Sequence, residues 1–149
     1  ITSALIDGRA LRLGHGVRIA EDIGNLAAED STSADLGLVA RWVLERGIPL
    51  ETSPSSNIQT GAIDAWGKSM EDHPFDALYR LGFAVTVNTD NRLMSATTLT
   101  KELELLVDAF GYGIEDLLAF QLNAAQGAFL PWNQTEVVID QLLEAYTHS

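Results

Sequence analysis

The chain has 149 residues, 46% of them hydrophobic, which is enough for the core of one ordinary domain or of part of a larger one. Its 21 acidic and 9 basic residues give a net charge of −12, which argues against a surface for nucleic acid or anionic membranes. There is no cysteine, so disulfides and thiolate metal sites are excluded, and a reducing, cytoplasmic location is expected. No apolar run reaches the roughly 18–20 residues of a membrane span.

The first part of the chain alternates between helical and strand patterns. Arg9 to Leu13 predicts a short strand, and Gly14 and Gly16 leave room around His15 after it. The next elements are a helix from Ser31-Thr32-Ser33 to about Arg46 and a strand over Ile48–Ser53. Because the chain opens with Ile1, in what reads as the end of a helix, we expect that a segment precedes it.

The second part continues the alternation and then turns helical. A continuous apolar run at Ala84–Val87 predicts a parallel strand that is buried on both faces. Helical spacing of apolar residues predicts four helices, over Phe75–Leu81, Thr97–Phe110, Ile114 to about Gln126, and from Asn133 onwards.

Each predicted strand runs into a polar cluster, at His15, Ser53 and Asp90, and these clusters lie 38 and 37 residues apart by subtraction. A (β/α)8 barrel of about 250 residues averages roughly 31 residues per unit, so this spacing indicates three consecutive βα units. Three parallel strands with open edges make a poor independent domain. We therefore expect a fraction of a larger sheet.

Asp90 is the strongest candidate for a functional residue from this pattern. It follows the third strand within the polar run Asn88-Thr89-Asp90-Asn91, and ligands of α/β folds bind at the carboxyl ends of strands. Taken alone, the same run would serve equally well as the cap of the next helix.

Four motifs, in order, resemble the adenosine deaminase family: Leu13-Gly14-His15-Gly16-Val17, the run from Glu51 to Ala62, Val87-Asn88-Thr89-Asp90-Asn91, and Leu122-Asn123-Ala124-Ala125 before Phe129-Leu130-Pro131. The resemblance implies a zinc-dependent amidohydrolase-type TIM (β/α)8 barrel. Residues 1–149 would be its C-terminal segment, with about the last three βα units and the closing helices, and the N-terminal strands would lie outside this chain.

The resemblance implies two catalytic positions. Asp90 matches the family's aspartate zinc ligand, and zinc with an open coordination position lowers the pKa of a bound water to about 7. The resulting nucleophile would attack C6 of the purine, and ammonia would leave. His15 matches the family's catalytic histidine, which stabilises the attacking group by a hydrogen bond without binding the metal.

Three further residues complete the predicted site. Asn91 stands where the commoner family pattern has an aspartate that contacts purine N7, and its amide can donate a hydrogen bond at any pH. Ser56 matches a serine near the metal aspartate and is expected to orient that ligand. Glu51 could accept a hydrogen bond from His15 and fix its tautomer, although it could equally be a solvated carboxylate.

Two other groups are predicted to be exposed and without a functional role: His73, before Pro74 at a helix start, and the acidic residues of the helix faces at Glu102 to Glu104 and Glu115 to Asp116.

The chain lacks the family's other metal ligands, a His-X-His pair and a further histidine, and its general-acid glutamate. We therefore expect the isolated chain to be inactive and to bind zinc weakly. Its predicted partners are a purine nucleoside and the N-terminal part of the same barrel. Two alternatives remain: a non-catalytic truncated homologue that serves as a binding or assembly module, or a sister deaminase acting on adenine or another 6-aminopurine.

Overall fold

The computed structural model describes residues 13–14, 16–88 and 99–127, and the single positions 137, 140, 144 and 147. In chain order the elements are a 3-10 helix over Gly16–Asp22, α1 (Leu38–Glu45), β1 (Leu50–Thr52), α2 (Pro54–Gln59), α3 (Phe75–Arg80), β2 (Val85–Val87), α4 (Leu99–Phe110) and α5 (Ile114–Gly127). The four single positions are helical, in agreement with a last helix after Asn133.

Three chain segments lie side by side and parallel, as the sequence predicted, although only Leu13 of the strand predicted from Arg9 to Leu13 lies within the described residues. β1 pairs with β2 in the register Leu50↔Val85, and Leu13 forms a parallel bridge to Leu50 on the other side. The bridge is closed by hydrogen bonds from Leu13 N to the Pro49 carbonyl at 2.9 Å and from Glu51 N to the Leu13 carbonyl at 2.8 Å. β1 is therefore the central strand of the described sheet.

The core lies between this sheet and the helices. β2 is buried at every position, as a parallel strand covered on both faces should be. α5 packs along β2, and Phe120 of α5 sits edge-on to Phe75 and Tyr79, with ring centroids 5.0 and 4.9 Å apart. Within the described ranges, no helix is both long enough and apolar enough to cross a membrane.

The predicted helix over residues 31–46 is shorter than expected, because α1 begins only at Leu38. Instead of capping a helix, Thr32 and Ser33 both donate to the Asp30 carboxylate from backbone and side chain, which closes a turn. The N-cap of α1 is Gly37, and the orphan N–H of Ala40 donates to Asp22 Oδ2 at 2.8 Å.

The helix α2 was not predicted. Pro54 stands at its first position, where the missing N–H costs nothing and the fixed φ angle favours helix. It begins two residues after β1 ends, so the polar run Ser55-Ser56-Asn57 is helical rather than loop.

Candidate active site

The three parallel segments present their carboxyl ends at one edge of the sheet. Gly14 follows Leu13, Ser53 follows β1, and Asn88 follows β2. The last rung here is the hydrogen bond from Asn88 N to the Thr52 carbonyl, at 2.8 Å. This edge is where the sequence predicted a site.

Of the five predicted site residues, Glu51 and Ser56 lie within the described part of the chain, whereas His15, Asp90 and Asn91 lie outside it. The assigned roles of all five stay predictions. The structure describes residues near these positions in the chain: Gly14 and Gly16, on either side of His15, and Asn88, two residues before Asp90.

Glu51 lies beside the glycine that precedes His15. A Cβ built on Gly14 would lie 3.7 Å from Glu51 Oε2, an ordinary van der Waals distance. The side chain of Glu51 is half-buried and takes part in further interactions. The carboxylate is thus at the carboxyl edge, next to Gly14, the residue that precedes His15 in the chain.

Close packing against β1 explains why residue 16, which follows His15, is a glycine. A Cβ at this position would lie 2.8 Å from the Cβ of Leu50 and 3.0 Å from its Cα, closer than real Cβ contacts come. The missing side chain lets the 3-10 helix start directly against the backbone of β1. Contact with the central strand therefore fixes the position of Gly16, the residue that follows His15.

Ser56 lies on α2 and is half-buried. Its carbonyl accepts hydrogen bonds from Thr60 N at 2.9 Å and from Thr60 Oγ1 at 2.8 Å, so its backbone belongs to a regular helical turn. Its side chain has an interaction of its own. The structure thus fixes Ser56 on a helix that starts at the strand end.

Threonines inside the sheet hold the end of β2, which sequence reasoning did not single out. Thr52 Oγ1 donates to the Thr86 carbonyl at 2.7 Å, and Thr86 Oγ1 donates to the Leu50 carbonyl at 3.3 Å. The Thr86 hydroxyl also accepts from Asn88 Nδ2 at 3.0 Å. The available signal was a threonine, Thr86, between the two valines of the third predicted strand.

His73 is buried, only 3% exposed, so the prediction that it lies on the surface is wrong. Phe75 N donates to its Nδ1 at 3.0 Å, and this bond requires an unprotonated Nδ1. Its Nε2–H then donates to the Asn57 Oδ1, 3.2 Å away, and Asn57 is itself buried. Burial lowers the pKa of His73 to about 4.

Glu102 is also buried, 3% exposed, so its prediction as a solvated residue is wrong, whereas Glu104 is exposed as expected. Glu102 Oε2 accepts a hydrogen bond from Ser55 N at 3.1 Å. A signal was present in the sequence: Glu102 comes three residues after Leu99 and four before the buried Leu106, which places it on the apolar face of α4.

Metal ligation cannot be assembled from the described residues alone. Among residues 13–14, 16–88, 99–127 and the four single positions, no group of three or more His, Asp or Glu side chains could hold an ion.

The adenosine deaminase family model matches residues 1–145, nearly the whole chain. The chain belongs to the adenosine deaminase family. Similar curated relatives, each named adenosine deaminase, include those of Mycobacterium avium strain 104 (51% identity over 134 residues) and Mycobacteroides abscessus (50% over 133 residues). Each match covers 89% of this chain but only 36% and 35%, respectively, of the relative's length.

Solved structures give the fold of the family segment. The adenine deaminase of Arthrobacter aurescens superposes with a TM-score of 0.79 at 22% identity, over 98% of this chain and 39% of that one. An amidohydrolase of Burkholderia ambifaria, with bound Zn, gives a TM-score of 0.67 at 23% identity, over 99% of this chain and 38% of that one. The fold is therefore part of a TIM barrel, as predicted.

Proposed function

We propose that this chain supplies the C-terminal part of the active site of a zinc-dependent adenosine deaminase. The reaction is hydrolytic deamination of adenosine and 2′-deoxyadenosine to inosine and deoxyinosine, a step of purine salvage. The observation that carries the proposal is the 51% identity to a relative named adenosine deaminase. A cytoplasmic location belongs to the same proposal.

The metal site is proposed to be shared between this chain and the N-terminal part of the barrel. Asp90 would be the ligand from this chain, two residues beyond Asn88, whose backbone ends the β2 ladder at the carboxyl edge. A hard carboxylate oxygen is a normal donor for catalytic zinc. When bound, zinc supplies Lewis acidity and activates water near neutral pH. The described residues fit such a partial site, because the carboxyl ends of three parallel segments meet at the edge where Asn88 precedes Asp90 by two residues.

His15 would hydrogen-bond the attacking oxygen, and Glu51 would hold His15 in the required tautomer. In this proposal the imidazole of His15 hydrogen-bonds the nucleophile and stabilises the charge that develops there. The Glu51 carboxylate, beside Gly14, accepts from the other ring nitrogen and so fixes the tautomer. Ser56 orients the Asp90 carboxylate from α2.

Asn91 would orient the purine. Its amide donates to N7 regardless of pH, whereas an aspartate in that place must be protonated to donate. This difference from the commoner pattern keeps the acceptance of the free base adenine as an alternative to be tested.

Ammonia release from adenosine, 2′-deoxyadenosine and adenine, measured on the complete protein that contains this chain, tests the proposal. We expect kcat/KM for both nucleosides to exceed that for adenine. Equal or faster turnover of adenine would overturn the nucleoside assignment. A folded complete protein that deaminates none of the three would instead support the non-catalytic module.

A further inference from the structure

We infer that Glu102 is a positioning residue for the active site, acting through the N-terminus of α2; the inference rests on the proposed function. Glu102 belongs to the first turn of α4, twelve residues after Asp90 by subtraction. Its carboxylate reaches across to Ser55 N, a contact that spans 47 positions of sequence. It therefore joins the helix that carries Ser56 to the helix that follows the predicted metal aspartate.

The burial of this carboxylate requires an explanation. Removing a charged group from water is unfavourable unless hydrogen bonds replace its hydration. The neighbours Lys101 and Glu104 on the same helix are exposed, whereas Glu102 keeps only 3% of its surface accessible. Every buried side-chain nitrogen and oxygen atom of the described residues has a hydrogen-bond partner, so this carboxylate is fully accommodated.

The start of α2 explains what Glu102 does. The N-cap residue Ser53 makes no side-chain hydrogen bond to the helix, and Pro54 has no N–H. The N–H of Ser55 is thus the first orphan donor of α2, and it is capped by Glu102 instead of by a local residue. A negative charge at this end of a helix is also favoured by the peptide dipoles.

Glu102 would act on the active site by holding Ser56 in position, without touching the substrate. Capping Ser55 fixes the turn that contains Ser56, the residue proposed to orient the Asp90 carboxylate. Residues that orient metal ligands typically affect metal affinity or activity 10–100-fold when they are removed. A purely stabilising contact would lower the thermal midpoint without such an effect on kcat.

The test uses three variants of Glu102 in the complete protein. Glu102→Gln keeps an acceptor oxygen at the same reach, whereas Glu102→Asp keeps the charge but withdraws it by one methylene. We expect Glu102→Ala and Glu102→Asp to lower kcat for adenosine by about 10–100-fold, with KM near the wild-type value, and Glu102→Gln to recover most of kcat.

Two controls separate positioning from stability. Glu104→Ala removes an exposed carboxylate from the same helix and should leave kcat unchanged. Tyr79 lies on α3, and Tyr79→Phe removes the 2.8 Å hydrogen bond from its hydroxyl to Asp116 Oδ1. This variant should have a lower thermal midpoint but an unchanged kcat.

The outcomes are distinct. Wild-type kcat in both Glu102→Asp and Glu102→Ala would overturn the inference while leaving the proposed function intact. If Glu102→Ala does not fold, the order Gln above Asp supports the inference, and the reverse order contradicts it. A wild-type protein without deaminase activity would overturn the proposed function and the positioning role together, while slow hydrogen exchange at Ser55 N–H would still report the contact itself.

Discussion

At the scale of single residues, the unanticipated feature is a neutral histidine inside the domain. His73 connects Asn57 of α2 to Phe75 at the start of α3 by two hydrogen bonds. Protonation would place a hydrogen on Nδ1, where the Phe75 N–H now points, and a positive charge on a buried side chain. The folded state therefore selects the neutral imidazole.

This selection predicts an acid-sensitive stability. The pKa of His73 is lowered from 6.5 to about 4 in the folded protein, so between these values the unfolded chain binds the proton and the folded chain does not. Stability present above about pH 6.5 is lost as the pH falls towards about 4, by up to roughly 3 kcal/mol.

Urea unfolding of the complete protein at pH values between about 7.5 and 4.5 measures this loss. His73→Gln should be less stable near neutrality, because it loses the Phe75 contact, but its stability should fall less steeply with acid. A parallel fall in the variant and the wild type would assign the acid sensitivity to carboxylates elsewhere.

The two glycines around His15 predict a contrast. Gly16→Ala forces a methyl group against the backbone of Leu50 and should destabilise the protein by about 1–3 kcal/mol. Among the described residues, the methyl group of Gly14→Ala meets only Glu51 Oε2, at 3.7 Å, and should cost less stability. Thermal midpoints compare the two, and a larger loss in Gly14→Ala would contradict the packing argument.

At the scale of elements, the outer edge of β2 is held by a side chain. Asn123 of α5 donates from Nδ2 to the Val85 carbonyl at 3.0 Å, on the edge that faces away from β1. α5 thereby fixes the strand that leads into the predicted metal ligand. Asn123 belongs to the motif Leu122-Asn123-Ala124-Ala125, and this hydrogen bond gives the asparagine of that motif a structural role.

Removal of this amide should loosen β2. Asn123→Ala leaves the Val85 carbonyl without its partner in a buried position, which costs about 1–3 kcal/mol. Gln126→Ala, exposed on the same helix, is the matched control and should change little. Equal thermal midpoints for the two variants would show that the hydrogen bond does not hold the strand.

Local pattern predicted the elements whose sequence signals lie within them. β2 was predicted from its apolar run, and α5 from its spacing, to within a residue at its C-terminus. The burial of His73 and Glu102 was missed, because the groups that satisfy them, Asn57 and Ser55, lie 16 and 47 positions away. The early start predicted for α1 failed because Asp30 competes for the hydroxyl and N–H groups of Thr32 and Ser33.

At the scale of the whole molecule, the described sheet consists of a few neighbouring strands of a barrel. Among the described residues, the parallel sheet consists of two three-residue strands and one bridging residue, Leu13. The chain covers little more than a third of the length of its curated relatives. The chemistry proposed here therefore requires the remainder of the barrel.

The 149-residue chain alone should release no ammonia from adenosine and should bind zinc weakly, because a catalytic zinc takes about three protein ligands and this chain is proposed to supply one. The complete protein, or the chain recombined with a polypeptide that carries the N-terminal strands, should be active. Turnover by the isolated chain at the rate of the complete protein would refute the shared site.

Zinc analysis of complete-protein variants at Asp90 and Asn91 distinguishes a metal ligand from a residue that binds the purine. If Asp90 binds the metal and Asn91 the purine, Asp90→Ala should lose most of its zinc on dialysis, whereas Asn91→Ala should keep about one ion per barrel and show a raised KM for adenosine. Full zinc retention by Asp90→Ala, or equal loss in both variants, would contradict the account.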